Sequence, residues 1–480
     1  MRSGTAERFP GGFRGAFLAW VVAGVLALAL RGFTVDDALV SARVASHLAS
    51  GEGYRFNRWG PAVDAVTPLG WVQVLAAFGP GTPLEMLERA RTLGLVAWLL
   101  AALLLGALAP PGRGRLTLLG LLAISTPLAV WSSSGMETGV VTLLATLALL
   151  EVWPAALAAG LAAAWRPELL PWSVALAAGA SLTAGERAPE RLRALAVRLP
   201  LAIGPAVVVA LVRKAWFGSY APLSSVAKAP ELAHGLFYAA DTLLGTGVPL
   251  LLLAPRALGR TDGRTRVLVA AVFAHALAMV AAGGDWMALY RLAVPVLPTA
   301  LLAASRLADS MSLSGWVGRV LLFSIRPVWL AATVAWPARE VLAHRLELVE
   351  RSRRAFADTS SIACLDVGWV GAATPARLLD LGGITDPVVA RLAGGHTTKR
   401  ISNGLFENRA VDSAVLLLAP GAKPDARWQD SDFARGVEAR VAALPALEDF
   451  QVRALLPLGG TTQSYVVLTR PRGEADLPAP

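Results

Sequence analysis

Long apolar runs, separated by short polar and arginine-bearing intervals, dominate roughly the first 337 residues of this chain. A helix needs about 20 predominantly apolar residues to cross a bilayer. Runs near that length lie at about 13–30, 92–108, 116–131, 137–152, 199–212, 236–253, 267–282, 292–304 and 320–336. Between 153 and 182 two shorter apolar segments flank Arg166-Pro167-Glu168. A proline would break one continuous helix there, and two charges would lie at its centre. The pattern therefore predicts two short spans with the charged break outside, and about 11 crossings in all. The run "LGWVQVLAAF", between Pro68 and Gly79, is too short to cross and predicts an interfacial or re-entrant helix.

From about residue 338 the pattern changes to that of an ordinary domain. "SIACLDVGWVG", "AVDSAVLLLAP" and "SYVVLTRP" predict strands, and "DSDFARGVEARVAALPAL" predicts a helix with an aspartate cap. The expected organisation is a transmembrane domain over 1–337, with a first outer loop at 32–91 carrying juxtamembrane helices, and an α/β domain over 338–480.

Composition agrees with a polytopic α-helical membrane protein. The 480 residues are 55% hydrophobic and only 16% charged, with mean hydropathy +0.55, where soluble domains carry about 25% charged residues. The net charge of +10 does not form a nucleic-acid-binding stripe. It falls in short clusters: Arg113 and Arg115; Arg187, Arg191, Arg193 and Arg198; Arg256, Arg260, Arg264 and Arg266; and Arg306. By the positive-inside rule these loops are cytoplasmic. The amino terminus is then expected to be cytoplasmic and the C-terminal domain extracytoplasmic. The first span could mimic a signal-peptide core ending at Ala27-Leu28-Ala29, but is expected to remain uncleaved because later spans depend on it for orientation. With one cysteine, Cys364, neither an intrachain disulfide nor a cysteine-based zinc site is expected.

Candidate chemistry begins in the first outer loop. Asp36 can cap a helix over 37–50, with Gly51 just past its end. At 100° per residue Asp36, Arg43 and His47 share one face, whereas Asp37 points elsewhere. These charges read either as a capped juxtamembrane helix with solvated side chains or as a carboxylate and a cation arranged for chemistry.

The stretch "DDALVSARVASHLASGEGYRFNRWGPAVDAVTPLGW" resembles the first outer loop of a bacterial family of type C (GT-C) glycosyltransferase-like membrane proteins, which includes mycobacterial arabinofuranosyltransferases. "WSSSGMET", "WRPELL", "FGSYAPLSSVAK", "GGDWMALYR" and "DVGWVGAATPARLLDLGGITDPVVA" resemble further motifs of that family in order, with Ser219 in place of an acidic residue and Ser224 near an asparagine position. The resemblance covers about residues 33–390. It implies transfer of a sugar, arabinofuranose in one branch, from a polyprenyl-phosphate donor to an envelope glycan or lipid acceptor on the outer face, with inversion.

An alcohol nucleophile needs a carboxylate base, and the departing lipid phosphate needs a cation. The resemblance thus implies Asp36 as base, with Asp37 as alternative base, metal ligand or hydroxyl acceptor, and Arg43 as a donor-phosphate ligand. Arg166, Lys228 and Arg291 are further phosphate candidates. Glu137, Asp285, Trp286 and Tyr290 are substrate-binding candidates, and Trp71, Trp216 and Tyr220 could also stack on a sugar. No cofactor is certain; a divalent cation would rest on Asp36 and Asp37 alone. The rival readings are a lipid-linked glycan transporter or flippase, and a non-catalytic protein retaining the same fold.

Overall fold

The computed structural model describes residues 9–150, 154–183, 187–228, 231–252, 254–424 and 427–471. The chain divides into two compact units. The first comprises Met1–Thr34, Arg89–Val212 and Pro230–Arg339; the second comprises Val35–Glu88, Arg213–Ala229 and Glu340–Pro480.

The first unit is helical. Among the described residues, five helical stretches are long and apolar enough to cross a membrane: Gly12–Ala29, Pro83–Leu108, Ala188–Phe217, Gly263–Ala281 and Leu313–Ala355. A sixth is Arg113–Ile124 with Thr126–Ser132, bent by 58°. These spans make the chain a polytopic helical membrane protein. Thr138–Leu147, Ala155–Trp165 and Val294–Ala308 are apolar but shorter. Hydropathy alone had separated spans from loops too sharply at several places. The arginine-rich segment expected to be a loop is helical from Ala188, and that helix continues to Phe217 through Pro200 and Pro205. The run at 236–253 is broken at Gly247, whose φ is +64°, between Leu232–Thr246 and Val248–Leu252. The break at Arg166 is real, because a short 3-10 turn at Pro167–Leu169 separates two helices.

The second unit holds a five-stranded sheet of order β2-β1-β3-β5-β4. The strands are β1 (Ser361–Cys364), β2 (Arg377–Asp380), β3 (Ser413–Leu417), β4 (Gln451–Pro457) and β5 (Ser464–Thr469). β1 pairs in parallel with β2 and β3, while β5 pairs antiparallel with β3 and β4. Ala363, Leu379, Ala414, Leu416, Phe450 and Leu468 belong to its core. The expected strand "SIACLDVGWVG" stops after Cys364, and Val367–Ala373 is a helix. Within "DSDFARGVEARVAALPAL" the helix covers only Gly436–Ala442, behind the extended Arg435. The same unit contains the Asp36–Ala49 and Trp71–Ala76 helices, the second only six residues long.

Candidate active site

In the second unit, the face shared by Asp36 and Arg43 lies against the Val367–Ala373 helix. Both Asp36 carboxylate oxygens accept backbone N–H groups from the start of that helix, Gly368 at 2.7 Å and Trp369 at 2.9 Å. At its other end Arg43 donates to the carbonyls of Gly371 (2.7 Å), Thr374 (2.9 Å) and Ala376 (3.0 Å), and also to Phe56 (3.0 Å). A carboxylate at the N-terminal amides and a guanidinium at the C-terminal carbonyls satisfy orphan groups at both helix ends and match the helix dipole. Gly368 and Gly371 permit this approach. A Cβ on the first would meet the Asp36 backbone oxygen at 2.1 Å, and one on the second would meet the Arg43 side chain at 2.9 Å.

Two expectations change accordingly. Asp36 does not cap its own helix, whose cap residue is Val35 without a side-chain bond; it caps the Val367–Ala373 helix instead. Arg43 is 1% exposed and engages main-chain carbonyls through four of its five N–H donors. It is therefore a clamp rather than a ligand offered to a phosphate. Burial, opposed by Arg345 and reinforced by Asp366, raises the Asp36 carboxyl above its ordinary value. His47 lies off this contact, with Nδ1 3.1 Å from the Arg55 carbonyl.

Arg345 approaches Asp36 at 3.8 Å. Nearby, Asp366 receives a bidentate Arg435 contact (3.0 and 2.7 Å) and the Tyr465 hydroxyl at 2.6 Å. Burial alone would raise Asp366, but the Arg435 guanidinium outweighs it and holds the carboxyl low. Arg435 also reaches Glu438, which accepts the Leu417 N–H of β3. This network ties the Val367–Ala373 helix to the sheet.

Asp37 lies in the first turn of the Asp36–Ala49 helix and is half-buried. Asp37, Lys228 and Asp380 all act electrostatically on the imidazole of His396. Burial and then Lys228 depress that imidazole, against the opposing carboxylates, so it is neutral near pH 7. Its Nδ1 lies 3.1 Å from the Gly382 carbonyl, which can only accept, so Nδ1 carries the proton and Nε2 is the acceptor. The Lys228 segment is anchored by Arg213, whose Nε donates to Asp64 at 2.9 Å and whose guanidinium also meets the Thr67 carbonyl. Ser224 bonds Thr67 at 2.9 Å, so the residue near the family's asparagine position serves as an anchor.

The first unit gathers a different set. Glu137 is fully buried and pairs with Arg166 at 3.0 Å, while Arg166 also meets Glu168 at 2.8 Å. Within this break Arg166 is buried, Glu168 partly buried and Pro167 exposed. Arg291 pairs with Asp285 at 2.8 Å and lies over the Trp131 ring at 5.9 Å. Tyr238 is within electrostatic reach of Asp285, Arg291 and Arg166, which brings these sequence-predicted residues into one neighbourhood. Each arginine there is matched by a carboxylate. Tyr290 is buried and donates to Asp241 at 2.9 Å, whereas Trp286 is 63% exposed. In the second unit Trp71 is buried, while Trp216 and Tyr220 are exposed.

A divalent cation does not fit the predicted pair. The Asp36 oxygens face two amides and a guanidinium, and no group of three potential ligands occurs among the described residues. His396 and Arg435 escape sequence reasoning, because their partners come from distant segments; Asp366 opens the family-like motif "DVGWVG", which assigns it no role.

No protein-family model and no curated protein matches the chain. Among solved structures it is similar to ArnT from Cupriavidus metallidurans bound to undecaprenyl phosphate, at 12% identity and a TM-score of 0.48, covering 94% of this chain and 97% of that one. It is also similar to the arabinofuranosyltransferase AftD from Mycobacteria, at 14% identity and a TM-score of 0.45, covering 97% of this chain and 41% of that one. Both scores are low, and the functional reading below rests on the residues.

Proposed function

We propose that this protein is a membrane glycosyltransferase that moves a sugar from a polyprenyl-phosphate donor to an envelope glycan or lipid acceptor on the outer face of a bacterial inner membrane, with inversion. The observation that carries this reading is the convergence of Asp37, Lys228 and His396 from three distant segments within one unit. It is supported by the ordered motifs of the sequence. Asp37 is the base that takes the acceptor hydroxyl's proton, and Lys228 is the cation for the departing phosphate. Asp36 and Arg43 hold the architecture from which Asp37 projects. Asp285 orients Arg291. Within the first unit, Trp286 is an exposed aromatic surface and Tyr290 holds Asp241.

The test is mass spectrometry of envelope glycans and polyprenyl-phosphate sugars in a strain lacking the protein. A missing terminal sugar together with accumulated donor supports transfer. Intact glycans with a normal donor pool would overturn it.

A further inference from the structure

The half-buried imidazole of His396 is seated over a glycine. A Cβ on Gly382 would meet its Cε1 and Nδ1 atoms at 2.2 and 2.4 Å, so glycine is what leaves room for the ring. The turn beneath is held by the fully buried Asp380. Its Oδ1 accepts the Gly382 N–H at 2.7 Å, and its Oδ2 accepts the Thr385 N–H at 2.7 Å and the Thr385 hydroxyl at 3.0 Å. The Pro387–Ala390 helix that follows packs against Leu223–Ala227, the helix capped at its C-terminal end by Lys228. Packing as well as charge therefore brings the Lys228 segment to the turn that carries His396.

The bond from Nδ1 to the Gly382 carbonyl, at 3.1 Å, fixes the tautomer. The neutral ring then offers Nε2 as an acceptor and has no proton to give there. Ionised Asp37 also only accepts, and the Lys228 ammonium only donates. A sugar carrying two neighbouring hydroxyls matches this set. The reacting hydroxyl gives its proton to Asp37, and the other hydroxyl gives its hydrogen bond to Nε2.

We propose that His396 is a substrate-binding residue of the transfer site, whose Nε2 accepts the hydrogen bond of a non-reacting sugar hydroxyl. This role rests on the transferase reading and adds a specificity determinant to it, because a sugar lacking that hydroxyl would leave Nε2 without a donor. Purified protein would be given polyprenyl-phosphate sugar and unfinished glycan extracted from the strain lacking it, with transfer followed by mass spectrometry as each substrate is varied. His396→Phe keeps a ring over Gly382 without an acceptor, and should lower kcat/KM about tenfold. His396→Gln can both donate to the Gly382 carbonyl and accept a hydroxyl, and should recover most of that loss. A raised KM for the lipid donor in His396→Phe would place the hydroxyl on the transferred sugar; a raised KM for the glycan would place it on the acceptor. Unchanged kcat/KM for both substrates in His396→Phe would overturn the proposal, as would His396→Gln failing to the same extent. If the wild type itself moves no sugar, the transferase reading falls and this role with it, whereas normal wild-type transfer with His396→Phe unaffected removes the role alone.

Discussion

Replacing Asp36 with asparagine separates an architectural carboxylate from a catalytic one. Asp36 accepts two backbone N–H groups at the start of the Val367–Ala373 helix. Hydrogen bonds to a charged group are worth about 1.5–3 kcal/mol each, and an orphaned buried donor costs about 1–3 kcal/mol. Asparagine keeps one acceptor oxygen but turns its NH2 toward the other amide, donor against donor. One charge-assisted bond is lost and the other weakened, while the cost of burying a charge is relieved. The expected net loss is about 2 kcal/mol, or a roughly 30-fold fall in protection of those amides. Hydrogen exchange read by mass spectrometry on peptides covering 367–373 measures it directly. Asp37→Asn, in the same turn, should leave that protection unchanged. Unaltered protection in Asp36→Asn, combined with abolished sugar transfer, would refute this reasoning and restore Asp36 as the base.

Three further outcomes follow from other contacts. Asp366 is held at about 2 against an ordinary 3.8, so its stabilisation is present above pH ~3.8 and about 2 kcal/mol is lost as pH falls toward ~2. Acid unfolding followed by tryptophan fluorescence should show this loss in the wild type and a flatter profile in Asp366→Asn. Arg213→Met strands the buried Asp64 carboxylate, already raised to about 6 by burial against the opposing Arg213; thermal unfolding at pH 8 should show a loss of about 3–5 kcal/mol, smaller at pH 5, where Asp64 protonates. Gly368→Ala would drive a Cβ into the Asp36 backbone, so limited proteolysis of the second unit should accelerate severalfold.

The membrane character of the chain was readable because apolar runs are a local property. Helix phase likewise predicted that Asp36 and Arg43 share a face, since that depends only on 3.6 residues per turn. What the face touches was not readable. The amides capped by Asp36 lie 332 and 333 positions away in sequence, and a buried cap and an exposed base use the same residue type. Asp37 reads from sequence only as an alternative to Asp36, because His396 and Lys228, which distinguish it, come from other segments. β2 and β4 were missed because "RLLD" is too short to show alternation, and "QVRALLP" is a largely exposed edge strand. The pairing of Glu137 with Arg166 is tertiary, so nothing in the local sequence of either shows it.

The central claim is that Asp37 is the base of a lipid-linked-sugar transferase. The direct measurement is complementation of the strain lacking this protein with Asp37→Asn, at wild-type protein levels, reading envelope glycans and the polyprenyl-phosphate-sugar pool by mass spectrometry. The account predicts that the terminal sugar stays missing and donor accumulates, as with no protein at all. Full restoration of the glycan by Asp37→Asn would contradict it.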